Sequence, residues 1–342
     1  MAKIFTIISG NPLFNVLKDL KKQHEVDFII NEASISYQIE QSKSLYECVN
    51  LLSRCYERKN YDYILPTVDM ASLIVANINE KNNLPGIRKK PASLVMSKFK
   101  YYKIFDELNI LYPKIYELFD MSKTQKFFDI KYPCILKPTN ASGGYNIEIL
   151  YSEKEKNESI QQIKFPSFKH LYHTLRKNIQ FIEKDEYLIQ EYIEGDICSI
   201  MGYVDEENIQ IDFMFDIFPA KGKYPAEIGF TGPSKYKGKI ESEILLNLKK
   251  FFKFIELKNS PFMLDMIIDN DKIYFIDFGA RLSCNPMMLL YHRNINYASK
   301  LIDKILKNID YKIDIEKTTL KLLTNNNIKT DKDLYYNKFI IE

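Results

Sequence analysis

Two aspartates interrupt apolar runs late in the sequence. Asp265 lies in FMLDMII at 262–268 and Asp277 in IYFIDFG at 273–279. A carboxylate inside such a strand is costly unless something pairs with it. The two are twelve residues apart, on runs that read as a hairpin turning at Asn270 and Asp271. With an odd hairpin loop they would face each other, with Cβ atoms about 5 Å apart. Like charges that close call for a cation. Hard oxygen donors suit Mg²⁺, which takes the rest of its shell from phosphate and water. Arg281, four residues on, has a fork suited to a transferring phosphoryl group or an acyl phosphate. The competing reading pairs one aspartate with Arg281 and turns the other to solvent.

Lys137 ends a second apolar run, YPCILKP at 132–138, and TNASGG follows at 139–144. An ammonium at the end of a buried strand seeks an anion. The small residues after it let backbone N–H groups approach a phosphate closely. A snorkelling lysine followed by an ordinary turn is the alternative. A third segment, YLIQEYIEG at 187–195, joins an apolar strand to an acidic, aromatic end. Extended backbone there can offer a carbonyl and an N–H to an adenine edge, although a plain strand and turn has the same pattern.

The first part of the chain must position these groups. Apolar runs at 3–9, 26–30 and 62–66 alternate with helical spacing at 13–22, 43–58 and 69–80, the pattern of a small parallel α/β unit. LPG at 84–86 and Pro91 mark a boundary near residue 90. A helix is expected over 94–109, and the strand at 132–138 runs through the polar loop to a return strand at 147–151. Helix follows over 154–180, then strands at 187–193, 198–204 and 209–218, and helices at 241–256 and 297–307. Gly10 and Asn11, after the first strand, and Asp69, after the third, lie at the carboxyl ends of parallel strands, where open α/β sheets bind ligands. They are candidate substrate contacts.

The 342 residues provide for two or three domains, with 46% hydrophobic and 27% charged residues. Lys+Arg 48 against Asp+Glu 45 leaves a net charge of +3, which argues against nucleic acid or an anionic membrane as partner. No apolar run is long enough to span a bilayer. The N-terminal run reads as a strand, not a secretory signal. Five scattered cysteines without a CxxC suggest neither disulfides nor zinc, and a cytoplasmic location is the expectation. No Ser/His/Asp or Cys/His constellation is evident, and His170, His173 and His292 read as surface or packing residues.

Taken in order, these segments resemble the ATP-grasp superfamily, the fold of D-alanine–D-alanine ligase, biotin carboxylase and the pyrrolysine-pathway lysine ligase. The resemblance covers roughly residues 3–300. It includes a lysine early in a helix, Lys98, the Lys137 strand with its glycine loop, the hinge at Gln190–Ile193, Asp265, and a closing DFGAR at 277–281. It implies an α/β ATP-grasp fold with a Rossmann-like N-terminal pre-ATP-grasp domain (1–90) and a helical linker region (91–130). A central α+β lid subdomain (131–205), a C-terminal α+β subdomain (206–310) and an appendage (311–342) would follow.

The resemblance also implies roles. Lys98 and Lys137 would contact ATP phosphates, with Ser142, Gly143 and Gly144 closing over them. Glu191, Tyr192 and Ile193 would hold adenine. Asp265 and Asp277 would bind Mg²⁺, or Mn²⁺ in its place, and Arg281 would meet the transferred phosphoryl. The implied activity is an ATP-dependent carboxylate–amine ligase forming an amide through an acyl phosphate on small-molecule substrates; a homodimer is compatible with it. A phosphotransferase on the same fold and a non-catalytic ATP-binding module are the rivals. Three departures from the family pattern stand out. Gly279 replaces the usual asparagine, aspartates replace glutamates, and Ile197 stands where an acid often follows the hinge glycine.

Overall fold

Three short strands open the chain: β1 (Lys3–Ile7), β2 (Glu25–Phe28) and β3 (Tyr63–Pro66). They form a parallel sheet in the order β2-β1-β3. Helix α1 (Leu45–Lys59) crosses from β2 to β3, and α2 (Asp69–Asn82) leaves the end of β3. The computed structural model describes residues 1–7, 17, 19–28, 45–67, 69–120, 123–140, 147–163, 186–206, 208–225, 227–322 and 339–341. Gly10, Asn11, Ser142, Gly143 and Gly144 lie outside them, as does half of the helical spacing at 13–22. Asp19–Lys22 of that stretch is a 3-10 turn.

The helix expected over 94–109 is two helices, α3 (Lys89–Val95) and α4 (Lys98–Glu107). The break has a local cause. Ser97 is extended, with φ −124° and ψ 124°, and the Lys98 N–H donates to the Thr139 carbonyl at 2.7 Å. Two strands not anticipated follow in the stretch read as helical linker: β4 (Ile115–Phe119) and β5 (Thr124–Lys126). They join β6 (Cys134–Pro138), β7 (Glu148–Leu150) and β8 (Tyr187–Glu191) in a five-stranded antiparallel sheet ordered β5-β4-β8-β6-β7. Helix α5 (Glu153–Gln162) packs beside it, its start capped by Ser152, whose hydroxyl accepts from the Glu155 N–H.

The rest of the chain builds a second antiparallel sheet of seven strands, ordered β13-β12-β9-β10-β11-β14-β15. Its strands are β9 (Asp196–Val204), β10 (Ile209–Pro219), β11 (Glu227–Gly232), β12 (Ser260–Asp269), β13 (Lys272–Gly279), β14 (Thr318–Leu322) and β15 (Phe339–Ile341). Helix α6 (Glu241–Ile255) buries Ile244, Leu248, Phe251, Phe252 and Ile255, one stripe at helical spacing. Leu246, on the same helix, is exposed. The α6 stripe packs with Cys198, Ile200, Leu264, Met266 and Phe278 on one side of the sheet. Met201, Phe213, Phe215 and Phe230 pack on the other, with α7 (Cys284–His292) and α8 (Tyr297–Lys307). Both faces are therefore covered, and an acid pointing into either layer needs a partner.

Candidate active site

The hairpin β12–β13 sets Asp269 opposite Lys272, so its loop is the two residues Asn270 and Asp271. Regular pairing from that loop would place Asp265 opposite Ile276 and send Asp277 to the other face. A β-bulge changes the register. Met266 pairs with Phe275, but Asp265 pairs with Asp277, leaving Ile276 as the extra residue. The expected juxtaposition is present, reached by an even loop plus a bulge and not by an odd loop. The Ile276 carbonyl accepts from the Tyr102 hydroxyl at 2.5 Å and from Lys137 Nζ at 3.4 Å. The bulge thus both aims a carboxylate and gives the lysine an oxygen.

Lys137 and Lys98 come to this hairpin from different elements. Lys137 closes β6 and is buried, with Nζ donating to the Tyr102 hydroxyl at 2.8 Å. Burial, and then the neighbouring Lys98 ammonium, push its pKa down to about 7. Lys98 opens α4, and its Nζ lies 2.8 Å from Asp277 Oδ1. The same oxygen accepts from the Tyr101 hydroxyl at 3.0 Å. Both tyrosines are fully buried, and burial raises their pKa well above 10. The five-stranded sheet, α4 and the seven-stranded sheet therefore meet around Lys98, Lys137 and Asp277.

Asp265, opposite Asp277 on the hairpin, is partly open to solvent. Ser199 Oγ, across on β9, donates to its Oδ1 at 2.5 Å. Burial first, then the charges of Glu227 and Asp277, raise its pKa to about 8. The shift favours the protonated carboxyl until a cation arrives.

Arg281 does not pair with either aspartate of the hairpin. Its Nε donates to Asp69 Oδ1 at 2.8 Å, and its Nη1 to the Leu282 carbonyl at 2.9 Å. Asp69 is the first residue of α2, directly beyond β3. Two further bonds dock the Arg281 segment there: Leu282 N–H to the Pro66 carbonyl at 3.1 Å, and Ser72 Oγ to the Ala280 carbonyl at 3.2 Å. Asp69 is thus brought to the site, as part of an ion pair.

Glu191, Tyr192 and Ile193 lie at and just beyond the end of β8, next to β6, with Glu191 opposite Cys134. Glu191 N–H donates to the Lys114 carbonyl at 2.8 Å, and Lys114 N–H to Glu191 Oε2 at 3.2 Å. The buried Gln190 amide holds the Pro113 carbonyl at 2.5 Å. The segment is pinned against 113–115. Asp196 is engaged by Lys235 at 2.7 Å and by the Tyr236 hydroxyl.

The donor set fits a magnesium nucleotide. Two facing carboxylates, two lysines and a guanidinium lie close enough to act on one another's charge. Among the described residues, no group of three or more Asp, Glu, His or Cys side chains could hold a metal ion by itself. Two carboxylates completed by phosphate and water are the set that suits Mg²⁺. Sequence reasoning missed Tyr101, Tyr102 and Ser199. The signal for the tyrosines was their place just after Lys98, where two large polar-tipped aromatics share one turn of a helix. Ser199 carried none, because its role follows only from strand register.

The fold is the ATP-grasp fold that the sequence resembles. Residues 130–285 match the family model of the ATP-grasp domain, so the chain carries that domain within the fold read from its sequence. Among solved structures, the chain resembles an L-amino acid ligase from Bacillus licheniformis. The TM-score is 0.71 and identity 14%, covering 94% of this chain and 81% of that one. It also resembles D-alanine–D-alanine ligase from Bacillus anthracis, with TM-score 0.61 and 16% identity over 90% of this chain and 97% of that one. Among curated proteins, it matches the carbamoyl phosphate synthase large chain of Saccharolobus islandicus, 19% identical over 233 residues. That match covers 68% of this chain and 21% of the relative, so the chain spans about a fifth of the length of the curated relatives it matches. No helix among the described residues is long and apolar enough to cross a membrane.

Proposed function

We propose that the chain is an ATP-dependent carboxylate–amine ligase acting on small molecules, through an acyl phosphate. The observation that carries this reading is the meeting of Lys98, Lys137, Asp265, Asp277 and Arg281 in one site. The L-amino acid ligase and D-alanine–D-alanine ligase named above support the reaction class; they leave the two substrates open.

Mg²⁺, held by Asp265 and Asp277, supplies charge neutralisation at the phosphates when bound. The chain's own groups do the rest. Lys137 and Lys98 bind phosphate oxygens, and Lys98 leaves Asp277 to do so. The Glu191 carbonyl and Ile193 N–H take the adenine edge, with Tyr192 beside them. Ser199 orients the Asp265 carboxyl, and the two tyrosines fix Lys137 and Asp277. Arg281 faces the γ-phosphoryl as it passes to the substrate carboxylate. An amine then attacks the acyl carbon, and phosphate leaves. Such catalysis is positioning and preorganised charge in a site with little water, and it needs no nucleophilic side chain.

The test is a screen for ADP release over amino acids and small carboxylates, each offered with amines, in Mg²⁺. The reading expects ADP and free phosphate in equal amounts, with an amide product. A phosphorylated product that accumulates would make the protein a phosphotransferase. ATP binding without turnover would make it a nucleotide-binding module.

A further inference from the structure

Gly279 stands where the resemblance leads one to expect asparagine, and the reason is not its backbone. It lies in the extended run of β13, which any residue can adopt. The reason is space. A Cβ built on Gly279 would come within 2.5 Å of Asp69 Oδ1, with the Arg281 and Met263 side chains each 3.4 Å away. That oxygen cannot retreat freely, since it is the one that accepts from Arg281 Nε. The carboxylate therefore occupies the room a side chain at 279 would take.

We propose that Asp69 is the positioning residue for Arg281, and that Gly279 is the clearance that admits it. The proposal rests on the reading of Arg281 as a group of the phosphoryl-transfer site. A guanidinium in that site must hold its plane, because a displacement of about 1 Å can cost about a hundredfold in rate. Here the plane is fixed at two points: Nε on Asp69 and Nη1 on the Leu282 carbonyl. The Asp69 carboxylate also offsets the burial of the arginine's charge. Burial opposes the charge, yet the attraction of Asp69 leaves the pKa raised overall. Asp69 itself is fixed at the start of α2, and Ser72 of the same helix holds the Ala280 carbonyl. The N-terminal sheet thus sets the aim of an arginine that belongs to the C-terminal one. Asp69 and a side chain at 279 compete for one space, so each excludes the other from its unstrained position.

That exclusivity makes the test. Gly279→Asn, Asp69→Ala and the double variant are compared with wild type by urea unfolding and by turnover. Gly279→Asn is expected to lower the unfolding midpoint in the wild-type background and to lower it much less in the Asp69→Ala background. In turnover, Gly279→Asn and Asp69→Ala should each lose about a hundredfold in kcat, with KM for ATP changed less than about threefold. The double variant should lose no more than Asp69→Ala alone, about a hundredfold, because with Asp69 gone the asparagine has no carboxylate left to displace. Asp69→Glu, which retains the charge, should recover part of the loss of Asp69→Ala. Equal destabilisation by Gly279→Asn in both backgrounds would overturn the pairing, and multiplicative kcat losses in the double variant would overturn the positioning role. Were wild type to turn over no substrate, the ligase reading would fail, while the unfolding cycle would still decide the pairing.

Discussion

Replacing Lys137 with methionine separates what the lysine does for the fold from what it does for the nucleotide. The stem length is kept and the charge removed. In the folded protein without nucleotide, the pKa of Lys137 falls from 10.5 to about 7, chiefly through burial. At about 1.4 kcal/mol per tenfold change, this ammonium costs the fold about 4 kcal/mol at neutral pH. The sign follows from where the proton sits. Below about pH 7 both folded and unfolded chains hold it, and the full cost applies. Between about 7 and 10.5 the folded chain has released it, and the cost fades. The variant loses the Lys137 bonds to the Tyr102 hydroxyl and to the Ile276 carbonyl, which still accepts from Tyr102, and roughly 1 kcal/mol is lost with each bond. Lys137→Met should therefore be more stable than wild type by about 2 kcal/mol near pH 6.5, and the advantage should vanish by about pH 9.5. Its affinity for a magnesium–ATP analogue should drop by about 1.5–3 kcal/mol, the worth of a charge-assisted phosphate contact. Urea unfolding at the two pH values and calorimetry with the analogue measure both. A variant less stable at pH 6.5, or one that binds the analogue like wild type, would refute the reasoning.

Asp265, with its pKa raised to about 8, must lose a proton to hold a cation. Deprotonation of Asp265 should therefore strengthen magnesium-nucleotide binding as pH rises toward about 8, and calorimetry should show that gain removed in Asp265→Asn, where only the opposing proton loss of Lys137 remains. Asp277→Asn should fold normally, since Lys98 and Tyr101 can still donate to an amide oxygen, yet lose nearly all ADP release. Tyr102→Phe takes one partner from Lys137 and one from the Ile276 carbonyl, and should destabilise the protein by about 1–2 kcal/mol in urea unfolding while weakening the analogue severalfold.

Much of the site was legible in the sequence because its groups break local patterns. Asp265 and Asp277 stand out against apolar strands, and Lys137 against the strand it ends. Twelve-residue spacing was enough to suggest that the acids meet. It could not show how, since the bulge at Ile276 leaves no mark in an apolar strand and depends on tertiary partners, Tyr102 and Lys137. The partner of Arg281 was hidden for a related reason. Asp69 is 212 residues away, and only the docking of Leu282 on Pro66 brings it near. Strands β4 and β5 escaped because their pattern is not that of a half-buried strand: all of β4 is buried, and all of β5, Thr124–Lys126, is exposed. The break at Ser97 escaped because the apolar spacing runs on through it, while the Thr139 carbonyl that receives Lys98 lies on another element.

The central claim is that this site passes a phosphoryl group to a carboxylate before an amine attacks. Isotope transfer reads that step directly. A carboxylate found by the ADP-release screen, labelled with ¹⁸O in its carboxyl group, is turned over with its amine, and the released phosphate is analysed by mass spectrometry. The account predicts that a labelled oxygen passes from the carboxylate into the phosphate on each turnover. Unlabelled phosphate beside an amide product, or label retained in a stable phosphorylated product, would contradict it.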